Sequence, residues 1–404
     1  MRRTGNNIKL QGMLVIGALV AALFTSVGSA AAAAPVEFGP TSVNAKTSRA
    51  ARAAGPWGWS TPARTWAQGA KVLPAALVAK GPTARLTRAQ FAVSLLQVEA
   101  LRAARNGGDR PLANAGAGKV LPDARAGSLG ARVVGLGWMR PVNGKFAPYA
   151  AISADDAALA MTGVLGLRGD VTTLARKLRS EVPGAKTNYA LAAAHALNRT
   201  VGLRFNVLDP YDRLELGPRE AVNVAHGAYM LHVAATRLDR WKLDEAHRLA
   251  EEFELPDLGA NQALILRTAV AQLGQPYIWA GETEGRQSEG HGGFDCSGFT
   301  IRSINSSGVP AAQIAPIGER TSYAQSDVPA ARRIARDALQ PGDAMFFAPN
   351  GGATSPADNY HAGVYMGNGW FIHSSGGNGG VAINSLDGWW GSSFSWGRRA
   401  LKQP

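Results

Sequence analysis

Phe294-Asp295-Cys296-Ser297-Gly298-Phe299 is the stretch on which the reading of this chain turns, because Cys296 is the single cysteine among 404 residues. One thiol cannot close an intramolecular disulfide, so it is a buried filler, a link between chains or a reactive group. Its neighbours favour the last. Asp295 is a good N-cap, and a helix running from it to about Ser306 puts Cys296 in the first turn. There the backbone N–H groups and the macrodipole stabilise a thiolate. A free thiol with a pKa of ~8.5 is mostly protonated at neutral pH, so activation needs that placement and a nearby base.

Working outward, a helix is expected over Leu264 to Leu273, closed by Gly274 as the C′ residue. Pro276-Tyr277-Ile278-Trp279-Ala280-Gly281 follows, then a polar, Gly-rich loop from Glu282 to Gly293. Of the seven histidines, His195, His226, His232 and His247 fall on N-terminal helices, where core or surface roles are the default. His291 lies in the loop before the motif, a poor mount for a base. His361 and His373 remain, in Tyr360-His361-Ala362-Gly363-Val364-Tyr365-Met366-Gly367 and Trp370-Phe371-Ile372-His373-Ser374, two strands of a hairpin joined through Asn368-Gly369. A regular two-residue turn pairs Val364 with His373 and sends the histidines to opposite faces. A three-residue loop, Gly367-Asn368-Gly369 with Gly369 left-handed, pairs Gly363 with His373 and puts both on one face. The second arrangement is expected, with His361 as base and His373 as the group that orients it.

The order Pro-Tyr-x-Trp, Phe-Asp-Cys-Ser-Gly, Arg320-Thr321-Ser322, Pro341-Gly342-Asp343 and His-x-Gly-x-Tyr-x-Gly with a second histidine resembles the NlpC/p60 cell-wall peptidases over about 260–400. The resemblance implies an α+β papain-like domain over 259–404, with Cys296 as nucleophile, His361 as general base and His373 as the third polar residue. It further implies that Tyr277 assists the oxyanion or the substrate, and that Asp295 and Ser297 meet the free amine or backbone of a peptidoglycan stem peptide. The bond implied lies between D-glutamate and the diamino acid. An amidase or acyltransferase on the same fold, or a non-catalytic wall-binding module, are the alternatives. Two departures stand out: Ala280 replaces a common glycine, and the loop 282–293 is long. The chemistry calls for no cofactor, and no His/Cys cluster has metal-ligand spacing.

The start of the chain reads as an export signal. Arg2, Arg3 and Lys9 precede an apolar run from Leu10 to Phe24, then small residues around Gly28-Ser29-Ala30. That run is shorter than the ~20 residues of a membrane span. Residues 1–30 are therefore expected to be removed, leaving a secreted, wall-associated protein with no membrane segment. Residues 31–60, rich in Ala, Pro, Ser and Gly, are expected to be a linker.

Residues 61–235 read as mainly α-helical, with three similar segments aligned on Leu86, Ile152 and Leu216, each leading into a capped helix. Phe146-Ala147-Pro148-Tyr149 and Leu208-Asp209-Pro210-Tyr211 precede the second and third as turn-forming lead-ins. The triplet resembles S-layer homology repeats, which implies binding to an anionic wall polymer. Those repeats carry an arginine two residues after the apolar position, and here Arg88 alone sits there, against Ala154 and Pro218. A connecting helix is expected over 236–258, anchored by Leu243, Leu249 and Phe253, with a boundary at 256–260. Residues 31–258 carry a net charge of about +10 and 259–404 are balanced. Such a field favours polyanions. The basic residues lack the interleaved aromatics of a nucleic-acid platform, so no nucleic-acid partner is expected.

Overall fold

The computed structural model describes residues 55–105, 121–125, 127–207, 211–287, 290–349 and 352–402. The segment 1–30, the stretch 31–54 and the lead-in Leu208-Asp209-Pro210 lie outside the described residues. Within the first half, helices run over Thr61–Gly69, Arg88–Arg105, Leu129–Gly135, Ala154–Val164, Arg168–Glu181, Tyr189–Thr200 and Val224–His232. The last described residues of the expected linker are packed rather than free. Ser60 is buried, and Trp59 stacks on Phe205 with ring centroids 4.4 Å apart and meets His226 and Tyr229 edge-on. Two tryptophans at 57 and 59 carry too much apolar surface to be left in water, a signal that composition alone hides.

The three repeated segments meet. The N–H of Leu86 donates to the Val222 carbonyl (2.9 Å), that of Val222 to Ile152 (2.9 Å), and that of Ile152 back to Leu86 (3.0 Å). This closed ring of backbone bonds joins three fully buried residues. Each is followed at once by a capped helix. Thr87 and Gln90 bond reciprocally, Ser153 Oγ accepts from the Asp156 N–H (3.1 Å), and Asn223 Oδ1 accepts from that of His226 (3.0 Å). The third copy is thus centred on Val222, six residues beyond the Leu216 of the sequence alignment. Gly217-Pro218-Arg219-Glu220 forms a turn instead, with the Glu220 carboxylate accepting the Gly217 N–H (2.7 Å). What repeats is the apolar residue directly before the cap, and a match of leucines does not detect it. The residue in the arginine position of the third copy is therefore Val224.

Arg88 itself is buried, 1% exposed. Its guanidinium donates to the carbonyls of Phe146 (2.7 Å) and Arg140 (2.5 Å) and pairs with Asp156 at 3.3 Å. Those partners satisfy the charge internally and tie the first repeat to the second. Arg88 is a fastener inside the helical region, not a surface ligand for a polymer.

A helix over Arg240–Glu252 follows, with Leu249 and Phe253 buried and Leu243 packed at the core's edge. The next helix, Ala260–Val270, starts at Gly259, whose N–H is taken by the Gln262 side chain (2.8 Å). That helix ends at Val270 with Ala271 as its C-cap, short of the expected Leu273, so Gly274 is not its closing residue; at φ +103° it falls in the turn that follows. The C-terminal half then builds a five-stranded antiparallel sheet of order β6-β5-β4-β3-β7. Its strands are β3 (Ala344–Phe347), β4 (His361–Gly367), β5 (Trp370–Ser375), β6 (Gly380–Ser385) and β7 (Phe394–Arg398). A two-residue pair, β1 (Glu282–Thr283) and β2 (Gly293–Phe294), closes the base of the long loop. The helix Cys296–Asn305 packs on β4 and β5.

Strand alternation divides the sheet's two faces. Ala362, Val364, Ile372, Val381 and Ile383 join the main core with Phe294 and Phe299 of the helix side. Met345, Phe347, Phe371 and Trp390 form a smaller apolar cluster. The main core runs unbroken from Ala63 to Ala400, so the helical half and the sheet half share one interior. The chain boundary at 256–260 is not a boundary of the core. Arg199, buried in the helix Tyr189–Thr200, donates across it to the carbonyls of Gly274 (3.2 Å), Gln275 (3.1 Å) and Gly379.

Candidate active site

Asp295 caps the helix that carries Cys296: its Oδ1 accepts the Gly298 N–H at 2.7 Å, and Cys296 is the first helical residue. The sulfur is buried and stands against the N–H groups of Ser297 and Ala362, the second of which follows His361 on β4. Burial and the Asp295 charge push the thiol up to about 12; those two N–H groups and Arg320 pull the other way. The helix N-terminus therefore does not by itself yield a thiolate, because desolvation of the charged form outweighs it. The thiol is protonated at neutral pH.

His361 and His373 lie on the same face of the sheet, with His361 Nε2 2.6 Å from His373 Nδ1. The register that achieves this is the expected one, Val364 opposite Ile372, and so Gly363 opposite His373. The device differs. Asn368 (φ +49°) and Gly369 (φ +81°) form a two-residue turn between Gly367 and Trp370, and a bulge between Tyr365 and Gly367 then shifts the ladder by one residue. Had the turn not been followed by the bulge, His373 would point to the other face. Burial holds His361 well below its usual range and His373 down to about 4. Both are neutral imidazoles, walled by Phe347, Phe371 and Trp390.

Two contacts were not legible in the sequence. Asn384 of β6 places Oδ1 2.8 Å from His373 Nε2, extending the pair to a chain of three side chains. A lone amide in Val381-Ala382-Ile383-Asn384 is the only trace it leaves in the sequence. Arg320 reaches back to form a bidentate pair with Asp295 (3.0 and 2.8 Å), donates to Ser297 Oγ (2.8 Å) and pairs with Glu282. Asp295 and Ser297 are thus already occupied, with Ser297 Oγ also donating to Asp295 (3.1 Å). The cap and the guanidinium thus fix both side chains beside Cys296, the cap bond falling on Asp295 Oδ1 and one guanidinium bond on Oδ2.

Tyr277 lies half-buried on a segment paired with β2, where the Phe294 N–H donates to Pro276 (3.1 Å) and that of Ile278 to Phe294 (3.1 Å). The helical half borders this segment. Asp212 accepts the Trp279 N–H (2.6 Å), and Glu220 pairs with His291 of the long loop (2.8 Å). Ala280 has φ +58°, the left-handed conformation that explains why a glycine is common there. Among the described residues no group of three His, Cys, Asp or Glu side chains is arranged to hold a metal ion, and no helix is long and apolar enough to cross a membrane.

A thiol at a helix N-terminus beside a strand that carries one of two hydrogen-bonded histidines defines a cysteine-peptidase type of site. Residues 274–399 match the NlpC/P60 family, and this part of the chain is a domain of that family. The chain is 32% identical over 124 residues to a probable endopeptidase of Mycobacterium tuberculosis, covering 30% of this chain and 26% of that one. It is 36% identical over 110 residues to the gamma-D-glutamyl-L-lysine dipeptidyl-peptidase of Bacillus cereus, covering 27% of each. It is 29% identical over 140 residues to the peptidoglycan endopeptidase RipB of M. tuberculosis, 33% of this chain and 52% of that one. The chain thus spans about a quarter of the length of the first two relatives. Among solved structures, an NlpC/P60 family protein from Bacillus cereus shares 31% identity over 37% of this chain and 42% of that one, with a TM-score of 0.28.

Proposed function

We propose that this protein is an exported cysteine peptidase that hydrolyses the peptide stem of bacterial peptidoglycan between D-glutamate and the diamino acid. The observation that carries the reading is the 2.6 Å bond between His361 and His373 beside the strand residue whose N–H meets the Cys296 sulfur. The relatives named as peptidoglycan endopeptidases and as a gamma-D-glutamyl-L-lysine dipeptidyl-peptidase support the substrate class.

In this reading Cys296 gives its proton to His361 as the sulfur attacks the scissile carbonyl. A neutral thiol and a neutral imidazole are the correct starting pair for that transfer, which completes only as the new C–S bond forms. The Cys296 N–H, at an unsatisfied helix N-terminus, and Tyr277 meet the oxyanion. Collapse breaks the C–N bond, and His361 returns the proton to the leaving amine. Water then hydrolyses the thioester and restores the thiol. The N-terminal positive charge, with the segment 1–30 as export signal, suits a wall-associated protein whose helical half docks an anionic polymer.

The test is digestion of purified stem peptides by the full chain and by Cys296→Ala, with products read by mass spectrometry. Cleavage after D-glutamate by the native chain alone is expected; no cleavage of any stem peptide by either chain overturns the reading.

A further inference from the structure

We propose that Asn384 is a positioning residue that fixes the proton arrangement of both histidines, so that His361 presents an unprotonated Nδ1 as the base. A carboxamide oxygen can only accept a hydrogen bond. With Asn384 Oδ1 2.8 Å from His373 Nε2, that nitrogen must carry the hydrogen. A neutral imidazole has one N–H, so His373 Nδ1 is bare and acts as acceptor. It lies 2.6 Å from His361 Nε2, which must then be the donor. By the same count His361 Nδ1 has no hydrogen and keeps its lone pair. The assignment propagates through two rings from one amide on the next strand.

Strand register is what makes the chain possible. Phe371 pairs with Asn384 and His373 with Ala382, so Asn384 sits diagonally beside His373 on the shared face. Both histidines are buried against Trp390, Phe347 and Phe371, with the Asn384 amide as the polar partner of His373 Nε2. The charged groups nearby, Asp295 and Arg320 beside Cys296, are paired with each other, and the Tyr360 ring lies tilted against that of His361, centroids 6.2 Å apart. A residue in the wrong tautomer is costly: where a comparable triad loses its orienting acceptor, the rate falls by ~10⁴. Asn384 acts one ring further out, so a fall of roughly 10- to 100-fold is expected.

The kinetic part of this inference rests on the peptidase reading; the tautomer part does not. In the full chain with ¹⁵N-labelled histidine, long-range ¹H–¹⁵N correlation spectra report each ring's protonated nitrogen. Nε2–H is expected at both His361 and His373, and either ring in the Nδ1–H form overturns the proposal whether or not the chain cleaves anything. Asn384→Leu keeps the shape and removes the acceptor, and should lower kcat on stem peptides with little change in KM. Asn384→Asp restores an acceptor and should recover the rate at alkaline pH. Its carboxylate also favours His373 imidazolium, whose Nδ1–H would force His361 into the wrong tautomer, so the acid limb should move to higher pH. Unchanged kcat and pH profile in Asn384→Leu would falsify the positioning role. If Asn384→Leu does not fold, the displaced limb in Asn384→Asp and the spectra of the native chain decide the matter.

Discussion

Arg320 lies in a two-pronged ion pair with Asp295, 3.0 and 2.8 Å, immediately before the helix that begins with Cys296. The same carboxylate caps that helix through Gly298. Removing the guanidinium therefore leaves a buried anion next to the sulfur, and both stability and thiol ionisation suffer. Arg320→Leu should destabilise the fold by about 2 kcal/mol, less than a fully buried pair because Arg320 is partly exposed. Denaturant titration measures the first effect. A slower reaction of Cys296 with iodoacetamide measures the second, since Arg320 is one of the groups that favour the thiolate.

Cys296 alkylation in the native chain should itself be slow at neutral pH and keep rising beyond pH 9. Burial and Asp295 hold the thiol up to about 12, so the thiolate fraction grows with each step of pH through that range. A rate that levels off near pH 7 would mean a preformed thiolate and contradict the burial argument.

Asp343 of the Pro-Gly-Asp step gives a pH signature in stability. It is buried, with Arg399 3.4 Å away and the Gln340 N–H on its other oxygen, and burial raises its carboxyl to about 7. The unfolded chain releases that proton near pH ~3.9 while the folded chain keeps it. Folding then binds a proton over that window, and this group's contribution falls as pH rises from about 4 to about 7. The buried histidines slope the other way, because they are neutral when folded. Asn in place of Asp343 should remove only the falling component. Denaturation midpoints of Asp343→Asn against the native chain at pH 4, 5.5 and 7 should show the variant gaining relative stability with pH.

Ala280→Gly should stabilise. Ala280 sits at φ +58°, where a side chain costs ~1–2 kcal/mol, and glycine's extra unfolded-state freedom returns part of that. A net gain of about 0.5–1 kcal/mol, seen as a higher melting temperature, is expected.

Arg199→Ala should cost about 3 kcal/mol, because the carbonyls of Gly274, Gln275 and Gly379 lose a shared buried donor. Since one core spans both halves, calorimetry of the native chain should show a single cooperative transition. Two separated transitions would show that the halves are thermodynamically independent.

The sequence by itself was enough for the local features. Asp295 as a cap, the helix beginning at Cys296 and the hairpin at Asn368-Gly369 each follow from short-range rules of capping, turn chemistry and left-handed backbone. The pairing register that joins His361 to His373 was legible too, because only one parity puts two polar rings on one face. What depended on the three-dimensional fold was decided by contacts between distant residues. The bulge at Met366, the Asn384 amide, the Arg320–Asp295 pair and the buried state of the thiol all involve partners brought together by sheet order and burial. The ring of Leu86, Ile152 and Val222 belongs with them. Its members are defined by backbone groups that must be satisfied in a shared interior, and similarity of side chains along the chain pointed to Leu216 instead.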